Sequence, residues 1–529
     1  MCIRDRAFRF KTRRPRGGFV ENIYVERVRA NVKRQALYCD MLGSARWVGE
    51  LAQRYPAREI TPLTPWFANI SIHDVEITGC STLVDVSALP EKPVKNFFFG
   101  NVKAHCDRIG KICDATKFSM KDVRIESCDT VMRIDNCDYA SFFGFSNVTT
   151  GSSVKIEKTG GECRYLNVQT YPLVPVNYQS IRPGEVWLDT EGKPIQAHGF
   201  QVTFREGKYY WYGEDKTHTL FGTNRMFGGV RCYSSTDFYN WKDEGRIIEP
   251  ATDPHSPLHH CQKLERPHIL YCAKTGRYVC WLKSQSNDGH FVILEAEHFM
   301  GPYHFVRNLK PNGFAVGDFD MYADPDTGKG YVWFERPHWE QICAELSDDY
   351  TNVNGRYSEH FVGKVPPFTR EAAAHFVMDG KHYIYTSGTT SYTPNPSEVA
   401  VFDDYHGEYT VLGNPHIGDE YAHSFCSQIT SVIKIPGKDL YVAMADRWLP
   451  HTNKTDIPKK DWQSFLTRYK DHRPYPKDFA TPKVADRFYT LVNPNQDVYK
   501  ATYVFLPIVV KDGIPMIEWK DEWKLENYE

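Results

Sequence analysis

Past residue 200 the chain runs in short stretches whose apolar and polar positions alternate with a period of two. Five of these stretches follow a turn with glycine: Glu206-Gly-Lys-Tyr-Tyr-Trp-Tyr212, Thr275-Gly-Arg-Tyr-Val-Cys-Trp281, Thr327-Gly-Lys-Gly-Tyr-Val-Trp333, Asp379-Gly-Lys-His-Tyr-Ile-Tyr385 and Pro436-Gly-Lys-Asp-Leu-Tyr-Val442. Glycine in a turn flanked by period-2 strands is a hairpin signal. The glycines at 207, 276, 328, 380 and 437 are 69, 52, 52 and 57 residues apart. That spacing predicts five propeller blades of about four strands each. No long run with a 3.6-residue period interrupts them.

Upstream a different phrase recurs. Val20-Glu21-Asn22-Ile23-Tyr24-Val25 returns as Phe67-Ala68-Asn69-Ile70-Ser71-Ile72 and Val94-Lys95-Asn96-Phe97-Phe98-Phe99, with a weaker copy at Met120-Lys121-Asp122-Val123-Arg124-Ile125. The last two intervals, Asn69 to Asn96 and Asn96 to Asp122, are 27 and 26 residues. A short strand at a fixed period above about 20 residues, with Asn at the turn, predicts a β-solenoid whose coils stack to bury their apolar faces. Pro172 and Pro175 interrupt the pattern and place a linker around 165–182.

With 529 residues the chain is too long for one ordinary core. Lys+Arg number 64 against 66 Asp+Glu, which gives no electrostatic reason to expect nucleic acid or an anionic membrane as partner. No run of about 18 apolar residues exists to span a bilayer. The 14 cysteines form no Cys-x-x-Cys pair, so zinc and iron–sulfur sites are not expected, and Cys272 and Cys280 read as buried free thiols. His255, His259 and His260 cluster in a loop with no strong metal template. Asp324-Pro325-Asp326-Thr327-Gly328 superficially resembles a calcium loop, but its place between two strands favours a plain β-turn. No cofactor is expected beyond that one conceivable structural calcium. Met1-Cys2-Ile3-Arg4-Asp5-Arg6 looks like translated sequencing adapter, which would make residues 1–6 a scar on a metagenomic fragment cut at its 5′ end.

Arg9-Phe10-Lys11-Thr12 and Arg16-Gly17-Gly18-Phe19-Val20-Glu21-Asn22-Ile23, with Thr64–Ile70 and Leu89–Asn96, resemble the late coils of glycoside hydrolase family 28, the polygalacturonases. The resemblance implies the carboxyl-terminal part of a right-handed parallel β-helix over residues 7–165. In that family an Arg-Ile-Lys element binds the sugar carboxylate. Arg9 and Lys11 match its charged positions and would bind an anionic substrate, the alternative being a solvated strand edge. The family's catalytic aspartates lie upstream of that element, so the fragment is expected to be inert. An intact gene with that region would encode a two-enzyme pectin degrader.

A second resemblance covers about residues 183–525. It rests on Gln196-Ala197-His198-Gly199, Tyr210-Trp211-Tyr212-Gly213-Glu214, Cys232-Tyr233-Ser234-Ser235-Thr236-Asp237, Glu265-Arg266-Pro267-His268, Arg370-Glu371-Ala372-Ala373, Gly413-Asn414-Pro415, Ser427-Gln428 and Asp446-Arg447-Trp448. Taken in order, the set resembles the exo-β-1,3-galactanases of glycoside hydrolase family 43. It implies an all-β fold with a five-bladed propeller over residues 166–529, acting on a polysaccharide or oligosaccharide.

Glycoside hydrolysis needs an acid for the leaving oxygen and a means of activating water on the other face. Glu371 opens an apolar strand, where burial would raise its pKa, and the resemblance makes it the general acid; the alternative is a salt bridge with Arg370. Glu265 is expected to hold sugar and push the Glu371 pKa up, the alternative being a pair with Arg266. The family's usual Asp base is missing from Ile195–Phe204, and the resemblance hands its place to Gln428, although a neutral amide is a poor proton acceptor. Glu214, Asp318 (with Asp320 its rival), His198 and Trp448 are expected to line the substrate site, with Phe200 narrowing it. Two readings follow: an inverting exo-galactanase, exported to the extracellular space or periplasm, or a glycan-binding propeller without catalysis.

Overall fold

A computed structural model describes residues 5–448 and 498–529, apart from 172–175, 218, 220–225, 286–288, 365–367, 391, 393 and 421. Pro172 and Pro175 of the expected linker and most of the adapter-like start lie outside the described residues. The chain divides into two units, one running through Val176 and the other from Asn177 onward, with short exchanges between them. Among the described residues no helix is long and apolar enough to cross a membrane.

The first unit is a sheet of mostly parallel strands. Trp66–Ser87 lies between Phe19–Asn31 on one side and Val94–Glu126 on the other, and Val94–Glu126 continues to Val131–Asp138 and Ser141–Asn147. The recurring phrase is in register: Ile23 pairs with Ile70 and Ile70 with Phe97. Asn22, Asn69, Asn96 and Asp122 all have left-handed backbone, with φ of 59°, 53°, 52° and 52°. Asn and Asp tolerate that conformation better than other non-glycine residues, because their short side chains bond locally. Here the bonds run between strands: Asn69 Nδ2 donates to Asn22 Oδ1 at 3.2 Å, and Asn96 Nδ2 to Asn69 Oδ1 at 2.9 Å. The apolar positions beside them, Ile70, Phe97, Phe118 and Met120 among them, form the buried core. Strand Asn167–Gln169 pairs with Ser141–Phe143, so this unit runs past the expected limit at residue 165.

The second unit is a five-bladed propeller. Among the described residues four sheets have four antiparallel strands in sequence order, and the fifth has five, the short strand His416–Ile417 joining it in parallel. All five predicted glycines, Gly207, Gly276, Gly328, Gly380 and Gly437, have positive φ, and each lies in the turn joining the first two strands of a blade. The first strands are His198–Arg205, Leu264–Cys272, Phe319–Ala323, Arg370–Met378 and Gln428–Lys434, and they neighbour one another around a ring that closes between the last and the first. A backbone bridge between Ile181 and Trp523 ties the start of the unit to its end. Between blades five and one, Trp187, Trp211, Trp241, Phe200, Tyr503 and Phe505 interlock in one cluster. Phe200 belongs to this core, packed on Trp211 and Phe505 and wholly buried; the expectation that it narrows a subsite is corrected. Cys272 and Cys280 are buried free thiols, as read from their apolar strands.

Candidate active site

Each blade begins with a polar residue at the same end of its first strand, and backbone irregularity aims it. The ladders of blades one, two, four and five slip between His198 and Gln201, Glu265 and His268, Glu371 and Ala374, and Ile429 and Ser431. Within three of these bulges one residue is left-handed: Gly199 at 54°, Arg266 at 51° and Ala372 at 49°. A bulge turns the adjacent side chains out of the alternating pattern. At Glu265, Glu371 and Gln428 the side chains beside the bulges reach one cavity. Blade three supplies Asp318 just before its first strand, and Gly317 is required there, since a Cβ would lie 2.1 Å from Glu335 Oε2.

The result is a cavity lined by Glu214, Glu265, Asp318, Glu371, Gln428 and Trp448 from the expected set. Four cations also line it: Lys216, Lys263, Arg266 and Lys283. Two carboxylates are clamped by cations. Glu265 Oε2 meets Lys283 Nζ at 2.6 Å and accepts from Gln285 Nε2 at 3.0 Å. Asp318 meets Arg266 Nε at 2.8 Å and Lys283 Nζ at 2.7 Å. Burial pushes the pKa of each up. For Glu265 the lysines 283, 263 and 216 outweigh it, and for Asp318 Arg266 and Lys283 do, so both carboxyls sit below the usual carboxylate range.

Glu371 is the opposite case. Burial, reinforced by the Asp318 and Glu335 carboxylates, pushes its carboxyl well above the usual range, against the pull of Lys283 and Arg266. The like charges acting on it are therefore Asp318 and Glu335, which corrects the expectation that Glu265 does this. The salt-bridge alternatives also fall away. Arg370 turns to Thr386 and Glu398, and Arg266 to Asp318 and Gln428. Burial raises Glu214 too, with Lys216 opposing and Glu265 adding. Glu214 Oε2 accepts from Lys216 Nζ at 2.5 Å and Oε1 from the Arg266 backbone N–H at 3.0 Å.

Gln428 is fixed by donors that leave its amide no second orientation. Arg266 Nη2 at 2.9 Å and Trp448 Nε1 at 3.1 Å can only donate, so the oxygen faces them. Its nitrogen then donates to Ser387 Oγ at 2.9 Å and Glu371 Oε1 at 3.3 Å. Both carbonyl lone pairs are thus engaged.

His198 does not line the cavity. It is wholly buried, with Nδ1 on Asp446 Oδ1 at 2.9 Å, and it helps fix Asp446, which also accepts the Gly199 N–H at 2.8 Å. Asp320 is buried in the wall, accepting the His375 backbone N–H at 2.6 Å and facing His268, so Asp318 is the one that reaches the cavity. Arg9 and Lys11 lie on strand Phe8–Lys11 of the first unit, both exposed. Asp324 accepts the N–H groups of Asp326 and Thr327 and the Tyr405 hydroxyl, the pattern of a turn. The His259 and His260 rings lie 4.0 Å apart, tilted by 43°, and with Cys261 they bring three ligand-type atoms within 4.8 Å of one another, a proximity the sequence spacing did not suggest.

Sequence reasoning missed Arg266 as the hub of the site and passed over Lys283, Lys216 and Tyr392. A signal for Lys283 existed. The second strand of a blade is apolar and ends in a polar residue opposite the first strand's polar one: Glu214 opposite His198, Lys283 opposite Glu265, Ser387 opposite Glu371 and Asp446 opposite Gln428.

Residues 200–431, which lie within the propeller, match the family model of glycosyl hydrolases family 43. Among solved structures the chain is similar to a family 43 β-1,3-galactosidase, with 27% identity and a TM-score of 0.54 over 66% of this chain and 65% of that one. The chain thus spans just under two thirds of that relative's length. A second family 43 β-1,3-galactosidase, in complex with galactodeoxynojirimycin, matches at 27% identity and a TM-score of 0.53, over 65% of this chain and all of the other. An exo-β-1,3-galactanase from Phanerochaete chrysosporium, bound to β-1,3-galactotriose, shares the fold at 21% identity and a TM-score of 0.52, over 66% of this chain and 68% of that one. No curated protein matches the chain.

Proposed function

We propose that the propeller is an exo-acting, inverting glycosidase that removes galactose from β-1,3-linked galactan, with Glu371 as its general acid. The observation that carries this is the contrast among the cavity carboxylates. Lysine and arginine hold the Glu265 and Asp318 carboxyls below the usual range, while burial and like charge push that of Glu371 well above it. A carboxylic acid that stays protonated near neutral pH is what a leaving glycosidic oxygen requires, and a protein that only binds glycans has no use for one. The likeness to two β-1,3-galactosidases supports the choice of sugar. The small cavity, about 130 Å³ against the roughly 300–1,000 Å³ common for drug-sized ligands, suits one terminal ring and hence exo action.

The first unit is read as stacked coils of a parallel β-helix of polygalacturonase type, inert as it stands, with Arg9 and Lys11 on an exposed strand. A polymeric substrate is the argument for a location outside the cytoplasm, in the extracellular space or periplasm. One observation favours a purely glycan-binding propeller, namely the engaged carbonyl of Gln428. The products decide between the readings. The full chain incubated with β-1,3-galactan is expected to release galactose alone from the first minutes. Oligosaccharides as first products would refute exo action, and binding without any release would establish the lectin-like reading.

A further inference from the structure

A second cavity of the propeller lies between blades two and three, at the far ends of strands whose near ends line the active site. Glu265 and Tyr271 sit at opposite ends of strand Leu264–Cys272, and Ala323 closes the strand that Asp318 precedes. Glu265 and Asp318 line the active site, Tyr271 and Ala323 the second cavity. Extended chain from Glu265 to Tyr271 puts the two on the order of 20 Å apart, on opposite faces of the propeller. We propose that the far-face cavity is a second sugar site, which holds a stretch of the same neutral galactan chain without cleaving it. The identity of its ligand rests on the glycosidase reading above.

Three observations converge. The first is size. The cavity holds about 550 Å³, against about 130 Å³ at the active site. That falls within the roughly 300–1,000 Å³ of sites for drug-sized ligands, room for more than one sugar ring. Cys272, Leu346 and Tyr350, all buried in the core between these blades, close its floor.

The second is an aromatic platform. Tyr271 lines the cavity and is 44% exposed. Its ring lies 5.0 Å from that of Tyr278. Arg205 fixes Tyr278 in turn, donating to its hydroxyl at 3.2 Å and lying 4.8 Å over its ring. Tyr271 is therefore supported from behind while its free surface faces solvent. A sugar ring presents a face of C–H groups edged by hydroxyls, and Tyr matches it with an apolar body and a polar tip.

The third is charge. Lys274 pairs with Asp348, Lys329 with Glu345 Oε1 at 3.1 Å, and Asp324 is engaged by its own turn. Arg356 stands 3.7 Å from Glu345 Oε2. Three cations thus face three carboxylates, and no net field favours an anionic sugar over a neutral one. Glu345 is buried, yet its Oε2 has no hydrogen bond among the described residues. That oxygen is an acceptor for a sugar hydroxyl once the exposed Arg356 side chain swings aside. No bond is made or broken at this site. A chain held there keeps the enzyme on the polymer between cuts and raises the local concentration of chain ends.

The test uses the full chain and Tyr271→Ala, which removes the platform and leaves the core and the active site alone. Binding to insoluble β-1,3-galactan is measured by depletion from solution in the Glu371→Gln background. We expect Tyr271→Ala to raise the dissociation constant about tenfold. With Glu371 in place, hydrolysis of dilute galactan should slow by a similar factor, while kcat and KM on an aryl β-galactoside stay within about twofold of wild type, a split that a folding defect would not give. Equal binding with and without the Tyr271 ring, or binding by neither protein, overturns the second site. Tyr271-dependent binding of polygalacturonate in place of galactan overturns the neutral ligand. A wild-type chain that leaves galactan and aryl galactosides intact overturns the glycosidase reading instead, and the depletion measurement still decides whether the far-face cavity binds sugar.

Discussion

Arg266 is where perturbation should show most. Its side chain is buried, it pairs with Asp318 at 2.8 Å, holds the Gln428 oxygen at 2.9 Å and reaches Thr430 at 3.4 Å. Burial works against its charge, and the Asp318 carboxylate does most to keep it charged. Arg266→Met keeps most of the volume and the same left-handed backbone demand, but leaves Asp318 with Lys283 alone and Gln428 short of one donor. Removing one partner of a buried ion pair costs about 3–5 kcal/mol. For a unit on the order of 350 residues, at about 2.1 cal/mol/K of unfolding entropy per residue, that lowers the propeller's melting temperature by about 4–7 °C. The pH–rate profile should change as well. Arg266 holds the Glu371 pKa down, so its loss moves the alkaline limb to higher pH while maximal activity falls. Arg266→Lys should lie between, since it keeps the charge but not the two-pronged geometry. Calorimetry of the full chain and initial rates from pH 4 to 9 read both effects. A melting temperature within 1 °C of wild type together with an unmoved profile would refute the claim that Arg266 organises the site.

Three further outcomes follow from the same structure. Gly199→Ala puts a methyl group 2.5 Å from Glu214 Oε1 at a φ of 54°, and should cut kcat about 100-fold, with a backbone cost of about 1–2 kcal/mol; unchanged kinetics would contradict the crowding. Buried His360 and His416 are both pushed down from 6.5 to about 4 by burial, so the unfolded chain binds their protons first as pH falls. Their contribution is fully present above pH 6.5 and is lost between there and pH 4, about 3 kcal/mol each, and His360→Phe should flatten that loss in melts run across the window. In the first unit, Asn96→Val loses the bond to Asn69 and strains a φ of 52°, for about 2–3 kcal/mol, whereas Asn96→Gly should lose only about half as much; chemical denaturation of the two variants compares them.

The fold was legible where one residue type has one physical use. Glycine at positive φ marked all five hairpins, and Asn or Asp at a left-handed bend marked the strand repeat of the first unit, because few other residues adopt that backbone cheaply. The site was legible in part. Polar residues opening apolar strands gave Glu265, Glu371 and Gln428, all of which reach one cavity. The limits were orientation and partnership. Nothing in the sequence tells that His198 turns inward to Asp446 while its neighbour strand presents Glu214, since the bulge that decides it rests on one glycine. Nor does the sequence say which lysine meets which carboxylate. Glu265 beside Arg266 in sequence reads as a pair, yet the arginine turns to Asp318 of the next blade and the glutamate to Lys283. Glu265 is not among the largest charges acting on Glu371.

The central claim, that Glu371 protonates the leaving oxygen, is tested most directly by varying the leaving group in Glu371→Gln. An acid matters only where the departing oxygen needs a proton, and its loss typically costs about 10²–10⁴-fold. The account predicts that the variant loses galactose release from β-1,3-galactan by at least that factor while still hydrolysing 2,4-dinitrophenyl β-galactoside, whose phenolate leaves unassisted, within about tenfold of wild type. An equal loss on both substrates, or no loss on galactan, would contradict it.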